Sequence, residues 1–206
     1  MSQPAPGTPA HEFVARLRAA TVKPLELARF LDGLSHADRV SAVRAAGRPE
    51  QRRLWEAAKG VGSVRLVDLV KPSVGDLVPV RHHGRNTLPA FNFFEKRFTR
   101  PAGADPGAPG ELYGFNFQSM SWATGPGYFV AVDSPSAPEV LIDYRRVPPA
   151  KPAGWPEIRT NERGLGRLVY GNMVDTLRRV SEHVTIGSAA KGGKDLGSWF
   201  LLCRED

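Results

Sequence analysis

With one cysteine in 206 residues, an internal disulfide is excluded and the fold has to rest on its own core. Cysteine poverty also fits a reducing compartment. Long apolar runs are missing too: no stretch approaches the ~18 residues a membrane-spanning helix requires. The opening MSQPAPGTPA has no basic segment followed by an apolar one, so it does not read as a secretory leader. These absences predict a soluble, cytoplasmic protein. Blocks of five or more basic residues are absent as well, and the net charge of +7 is spread over doublets such as Arg52-Arg53 and Arg178-Arg179. A nucleic-acid partner is compatible with that excess but is not the favoured reading. Recognisable catalytic signatures are also lacking. Lys191-Gly192-Gly193-Lys194 has no strand-loop-helix context for a phosphate loop and reads as a hairpin turn.

What is present divides into two parts, 1–62 and 63–206. The first is punctuated for short helices. Thr8-Pro9 and Lys23-Pro24 open two, Ser35 with Asp38 opens a third, and Pro49 opens a fourth that Gly60 closes. None is long enough to be stable alone, so the stripe of Phe13, Leu17, Leu27, Phe30, Val40, Val43, Leu54 and Trp55 must find a packing partner.

Beyond Gly62 the period changes. VRLVDLVKPSVGDLVPV suggests short strands or an extended connector. Phe91, Phe94 and Phe98 behind Pro89 sit at helical spacing, with a strand as the alternative. From Glu111 the period is two: LYGFNFQS, YFVAV and EVLIDY read as strands, as do LVYGNM, HVTIGSAA and WFLLCR, with VDTLRRV as a short helix among them. Short turns between strands imply an antiparallel meander, and curling it into a barrel removes the exposed edges. The predicted class is α+β: an N-terminal bundle of short helices followed by an antiparallel β-barrel.

The order FNFFEKRF, LYGFN, RLVYGNMVDTLRRVSEHVTIGSA and WFLLCRE resembles that of the bacterial GXWXG-type proteins, whose barrel is lipocalin-like. The resemblance spans about the last 120 residues, and the G-x-W-x-G element itself is absent. It implies a calycin-type barrel with an interior for a small apolar molecule, and no reaction. Lys96, Arg97 and Phe98 fall on the family's basic-aromatic element, Tyr170 on its strand-ending tyrosine, and Asp175 with Arg178 on its short helix.

The candidate ligand-contacting residues are Tyr113, Phe115, Phe117, Tyr170, Asp175, Arg178, Lys96 and His82. The rings of Tyr113, Phe115 and Phe117 share one strand face, expected to turn inward; Gly114, Asn116, Ser119 and Ser121 alternate with them. Asp175 and Arg178 lie three apart, close enough on a helix for an ion pair that either clamps the fold or faces the interior. Adjacent His82 and His83 in an extended segment point to opposite sides, which argues against a shared metal. Cys203 shares a face with Trp199 and Leu201 and reads as a small core residue. The expected function is non-enzymatic binding of a small apolar or amphipathic molecule, with a basic macromolecule-binding module as the alternative. No cofactor, catalytic residue or metal ligand is assigned.

Overall fold

A computed structural model describes residues 4–89, 92–118, 125–161 and 164–206. Four helices come first: α1 (Pro9–Arg18), α2 (Pro24–Asp32), α3 (His36–Ala45) and α4 (Arg48–Ala57). Their starts follow the expected chemistry. The Thr8 hydroxyl accepts from the His11 amide at 3.2 Å, the Ser35 hydroxyl from the Asp38 amide at 3.2 Å, and the Glu50 carboxylate from the Gly47 amide at 2.9 Å. Each cap satisfies a backbone donor that the helix itself leaves unpaired.

A one-turn helix, α5 (Leu66–Leu69), leads into eight strands: β1 (Val80–Asn86), β2 (Phe93–Thr99), β3 (Leu112–Phe117), β4 (Tyr128–Asp133), β5 (Val140–Asp143), β6 (Met173–Arg179), β7 (Val184–Lys191) and β8 (Lys194–Arg204). A further helix, α6 (Gly164–Tyr170), sits between β5 and β6. All neighbouring strands are antiparallel, and β8 returns to pair with β1, so the sheet is a closed barrel. The Lys191–Lys194 hairpin makes that closure possible, because it delivers β8 between β7 and β1.

Register fixes which side chains face inward. One interior row runs Phe98, Gly114, Phe129; another runs Val140, Leu177, Gly187, Phe200. These belong to a continuous core with Phe94, Leu112, Ala131, Ile142, Tyr144, Met173 and Leu202. Three interior glycines are each in register with a phenylalanine: Gly84 with Phe94, Gly114 with Phe129, and Gly187 with Phe200. A Cβ at any of the three would collide with its partner's ring. Glycine is needed there because the ring lies flat over the neighbouring backbone.

One end of the barrel is filled by α5, whose Leu66 and Leu69 join this core. The Leu66 amide donates to Asp133 at 2.9 Å, and the His82 imidazole donates to the Leu69 carbonyl at 3.0 Å, so both rim and interior hold the short helix in place. The β1–β2, β3–β4, β5–β6 and β7–β8 connections, α6 among them, lie at the other end.

The N-terminal helices use the outside of the same barrel. Phe13, Leu17, Leu27, Leu31, Val43, Leu54 and Trp55 form a second core with Val184, Ile186, Trp199, Leu201 and Cys203 from β7 and β8. Cys203 is buried there as a small apolar residue, and burial pushes its thiol up to about 11. Among the described residues no helix is long and apolar enough to cross a membrane.

Four expectations change. The segment with Phe94 and Phe98 is strand β2, not a helix; residues four apart share a face in either conformation, so the spacing did not discriminate. Phe91 lies outside the described residues. VDTLRRV is strand β6, which sends Asp175 inward and Arg178 outward. LVYGNM, read as a strand, contributes instead to α6 and a turn at Asn172 with φ 57°. Leu66–Leu69 is helical rather than extended.

Face assignment in β3 is also reversed. Tyr113, Phe115 and Phe117 look outward, while Leu112, Gly114 and Asn116 look inward. The proline-rich crossing covers Phe115 on that outer face, where Trp155 packs edge-on against it at 4.7 Å and Tyr128 joins them, while Phe117 stays exposed. Apolar rings on an outer face are stable once a loop buries them.

Replacing Gly187 by alanine should overpack the interior and cost about 1–3 kcal/mol, read as a lower urea midpoint at unchanged slope. A midpoint equal to wild type contradicts this account of the glycine–phenylalanine pairs.

Candidate functional site

The half of the barrel away from α5 contains a polar group with no counterpart in an ordinary apolar core. Lys96 on β2 and Asn116 on β3 are neighbours in register; Tyr144 follows β5, and Asp175 lies near the start of β6. Each is buried, and Lys96 and Asp175 are both only 2% exposed. Interior parity brings them together.

The Lys96 ammonium donates to Asn116 Oδ1 at 3.0 Å, to Asp175 Oδ2 at 3.2 Å, and to the Tyr144 hydroxyl. Its three donors are thereby used. Asn116 Nδ2 donates to the Tyr144 oxygen at 2.9 Å, and the Tyr144 hydroxyl in turn reaches Asp175 Oδ2 at 3.3 Å. Asp175 Oδ1 is buried with no hydrogen-bond partner among the described residues. The ammonium also sits 4.8 Å from the Phe200 ring centre, 4.9 Å from Tyr144 and 5.1 Å from Phe129, with Phe94 at 5.9 Å. This is an aromatic cage around a cation. It uses the three rings that the interior glycines admit.

Burial governs the electrostatics. Desolvation pushes the Lys96 ammonium below its ordinary range against the pull of Asp175, and pushes Asp175 up against the pull of Lys96. The Tyr144 hydroxyl is raised well above 10, chiefly by desolvation and then by the Asp175 charge. It stays protonated and remains a donor.

Tyr170, at the end of α6, covers this group. Its ring stacks on Tyr144 at 5.3 Å and 16°, and its hydroxyl accepts from Gln118 Nε2 at 2.9 Å. A Cβ on Gly127 would strike the same ring, so a glycine at φ 57° gives Tyr170 its seat.

Of the candidate residues, Lys96, Asp175 and Tyr170 are therefore brought together. His82 also faces inward, in register beside Lys96, but its imidazole serves the α5 end, edge-on to Phe98 at 4.7 Å. Arg178 is elsewhere: its guanidinium lies 3.5 Å over the Trp55 ring, donates to the Trp55 carbonyl at 2.9 Å and pairs with Glu139 at 2.7 Å. It ties α4 to β6. Tyr113, Phe115 and Phe117 belong to the outer face, as do His83 and its partner Glu95. Ser119 and Ser121 lie outside the described residues. Among the described residues no cluster of three or more His, Cys, Asp or Glu is placed to hold a metal ion.

Tyr144 and the cage phenylalanines Phe129 and Phe200 were missed in the sequence. Parity offered a signal: Tyr144 is two residues beyond Ile142, on the same side of its strand. No protein-family model, curated protein or solved structure matches the chain.

The buried pair generates a mutational cycle. Lys96→Met alone leaves the Asp175 charge unpaired and should cost about 3–5 kcal/mol, whereas Lys96→Met with Asp175→Leu should return to within about 1 kcal/mol of wild type. Urea unfolding of the four proteins measures this, and strictly additive losses contradict the pairing.

His82 generates a pH dependence. Burial pushes its imidazole down to about 3 from an ordinary 6.5, so it is neutral when folded and protonated in the unfolded chain below pH 6.5. Its contribution is complete above pH 6.5 and is lost as the pH falls from there toward 3. Between pH 6 and 4, wild type should lose stability more steeply than His82→Gln, by up to about 1.4 kcal/mol per pH unit. Parallel stability curves for the two proteins contradict it.

Proposed function

We propose that the barrel binds a small, mainly apolar molecule carrying a hydrogen-bond donor, held non-covalently beside Lys96 and Asp175 in the half of the interior away from α5. The observation that carries this reading is the unpartnered, buried Oδ1 of Asp175 within an ion-paired group inside an aromatic interior. For stability alone, apolar residues of similar size serve as well as a buried ion pair. A buried acceptor without a partner calls for a donor that the described residues do not supply.

The surroundings define the ligand class. Phe94, Phe129, Phe200 and Leu202 give apolar walls. A carboxylate ligand would meet the Asp175 charge, so an alcohol or amide suits the site better than an acid. Entry is by the end at which Tyr170 stacks, with that ring moving off Tyr144 as the ligand takes its place. A calycin-type barrel, as in the GXWXG-type proteins, is the architectural counterpart of this reading, and a cytoplasmic setting fits the composition.

The macromolecule-binding alternative has weaker support. Arg48, Arg52 and Arg53 line a groove of about 830 Å³ with Trp199. Arg53 is committed to the Ala19 and Ala20 carbonyls and Arg48 to the Gly197 carbonyl, so these side chains already serve to brace the helices.

Titration calorimetry with octanol, octanoate and octane tests the reading. Octanol should bind most tightly, and Asp175→Asn should weaken it about tenfold, the loss of one charge-assisted hydrogen bond. Absence of heat with all three ligands, together with an unshifted melting temperature, would overturn it.

A further inference from the structure

The lysine in this group carries chemistry beyond recognition, an inference that rests on the interior being a ligand site. We infer that Lys96 captures apolar aldehydes as an imine, with Asp175 moving the proton. Seven lysines are present, and the other six are exposed or half-buried, where water holds the ammonium protonated. Lys96 alone is enclosed, in a cage of Phe94, Phe129, Phe200 and Tyr144, with a carboxylate within 3.2 Å of its nitrogen. A desolvated amine beside a proton acceptor is what nucleophilic lysine chemistry requires.

The step balances with the groups present. Asp175 Oδ2 takes one proton from the ammonium, leaving a neutral amine and a neutral carboxyl. The nitrogen lone pair then attacks the aldehyde carbon; the C–N bond forms, and the carbonyl oxygen takes a second proton from that nitrogen, giving a carbinolamine. The Asp175 carboxyl returns its proton to the carbinolamine hydroxyl, the C–O bond breaks, and water leaves as the C=N bond forms. Asp175 Oδ1, unpartnered among the described residues, accepts a hydrogen bond from the carbinolamine hydroxyl while Oδ2 returns the proton. Nothing is oxidised or reduced.

The product suits the site as well as the starting amine does. A protonated imine is a cation at the same position, so the Asp175 pairing and the aromatic cage persist. The aldehyde's chain replaces the Tyr170 ring against the apolar walls. Tyr144 and Asn116, which both bond to the nitrogen, position it.

Octanal with cyanoborohydride tests this on the intact protein, with peptide mapping of the reduced adduct. The expected result is alkylation of Lys96 at least tenfold faster than of any other lysine, suppressed by excess octanol. Lys96→Arg, which keeps a cation for Asp175, should lose the label at this position while the other six lysines react at their wild-type rates; if that variant does not fold, the wild-type site map and octanol competition decide alone. Labelling confined to other lysines while octanol still binds overturns imine capture and leaves the binding reading intact. If neither octanal nor octanol binds, both fall together.

Discussion

An ion pair sealed inside a closed sheet organises this molecule. Lys96 and Asp175 come from strands on different sides of the barrel, and closure brings them within 3.2 Å. In a low-dielectric interior each charge is tolerable only while the other is present. The arrangement of β2, β3, β5 and β6 is thereby coupled, since Asn116 and Tyr144 complete the hydrogen bonds of the same ammonium. Packing alone would allow small slips among these strands; the polar group fixes one arrangement.

The cage depends in turn on glycine. Gly84, Gly114 and Gly187 each face a phenylalanine across the ladder, and the freed space brings Phe94, Phe129 and Phe200 around the lysine. Side-chain volume is removed from the strands and returned as rings. The interior is consequently aromatic around Lys96, while the α5 end is lined by Leu66, Leu69 and Val80 beside His82 and Phe98.

Much of the architecture was legible because local and global preferences agree. Helix starts at Thr8-Pro9, Ser35 and Pro49 and the strand patterns of β4, β5, β7 and β8 marked elements that the structure contains. The polar group was half legible. Lys96 stands between Phe94 and Phe98, and Asp175 between Met173 and Leu177, so strand parity places each charge on an apolar face. Reading both segments as helices obscured that, because a spacing of four suits either structure and a spacing of three joins Asp175 to Arg178 only on a helix. The aromatic face of β3 misled for another reason. Its partner, Trp155, comes from a proline-rich crossing whose path no periodicity encodes. Likewise the long-range pairing of Tyr144 with Lys96 has no local signature, being a product of closure.

The seam between β1 and β8 has a consequence for the order of assembly. Its register joins His82 to Arg204 and Asn86 to Phe200, across most of the chain. Such distant pairing is slow, because loop entropy must be overcome before contact is made. Closure of this seam completes the enclosure in which the lysine and the aspartate are desolvated. The helices pack on the outer side of β7 and β8 and so brace the strand that closes the seam.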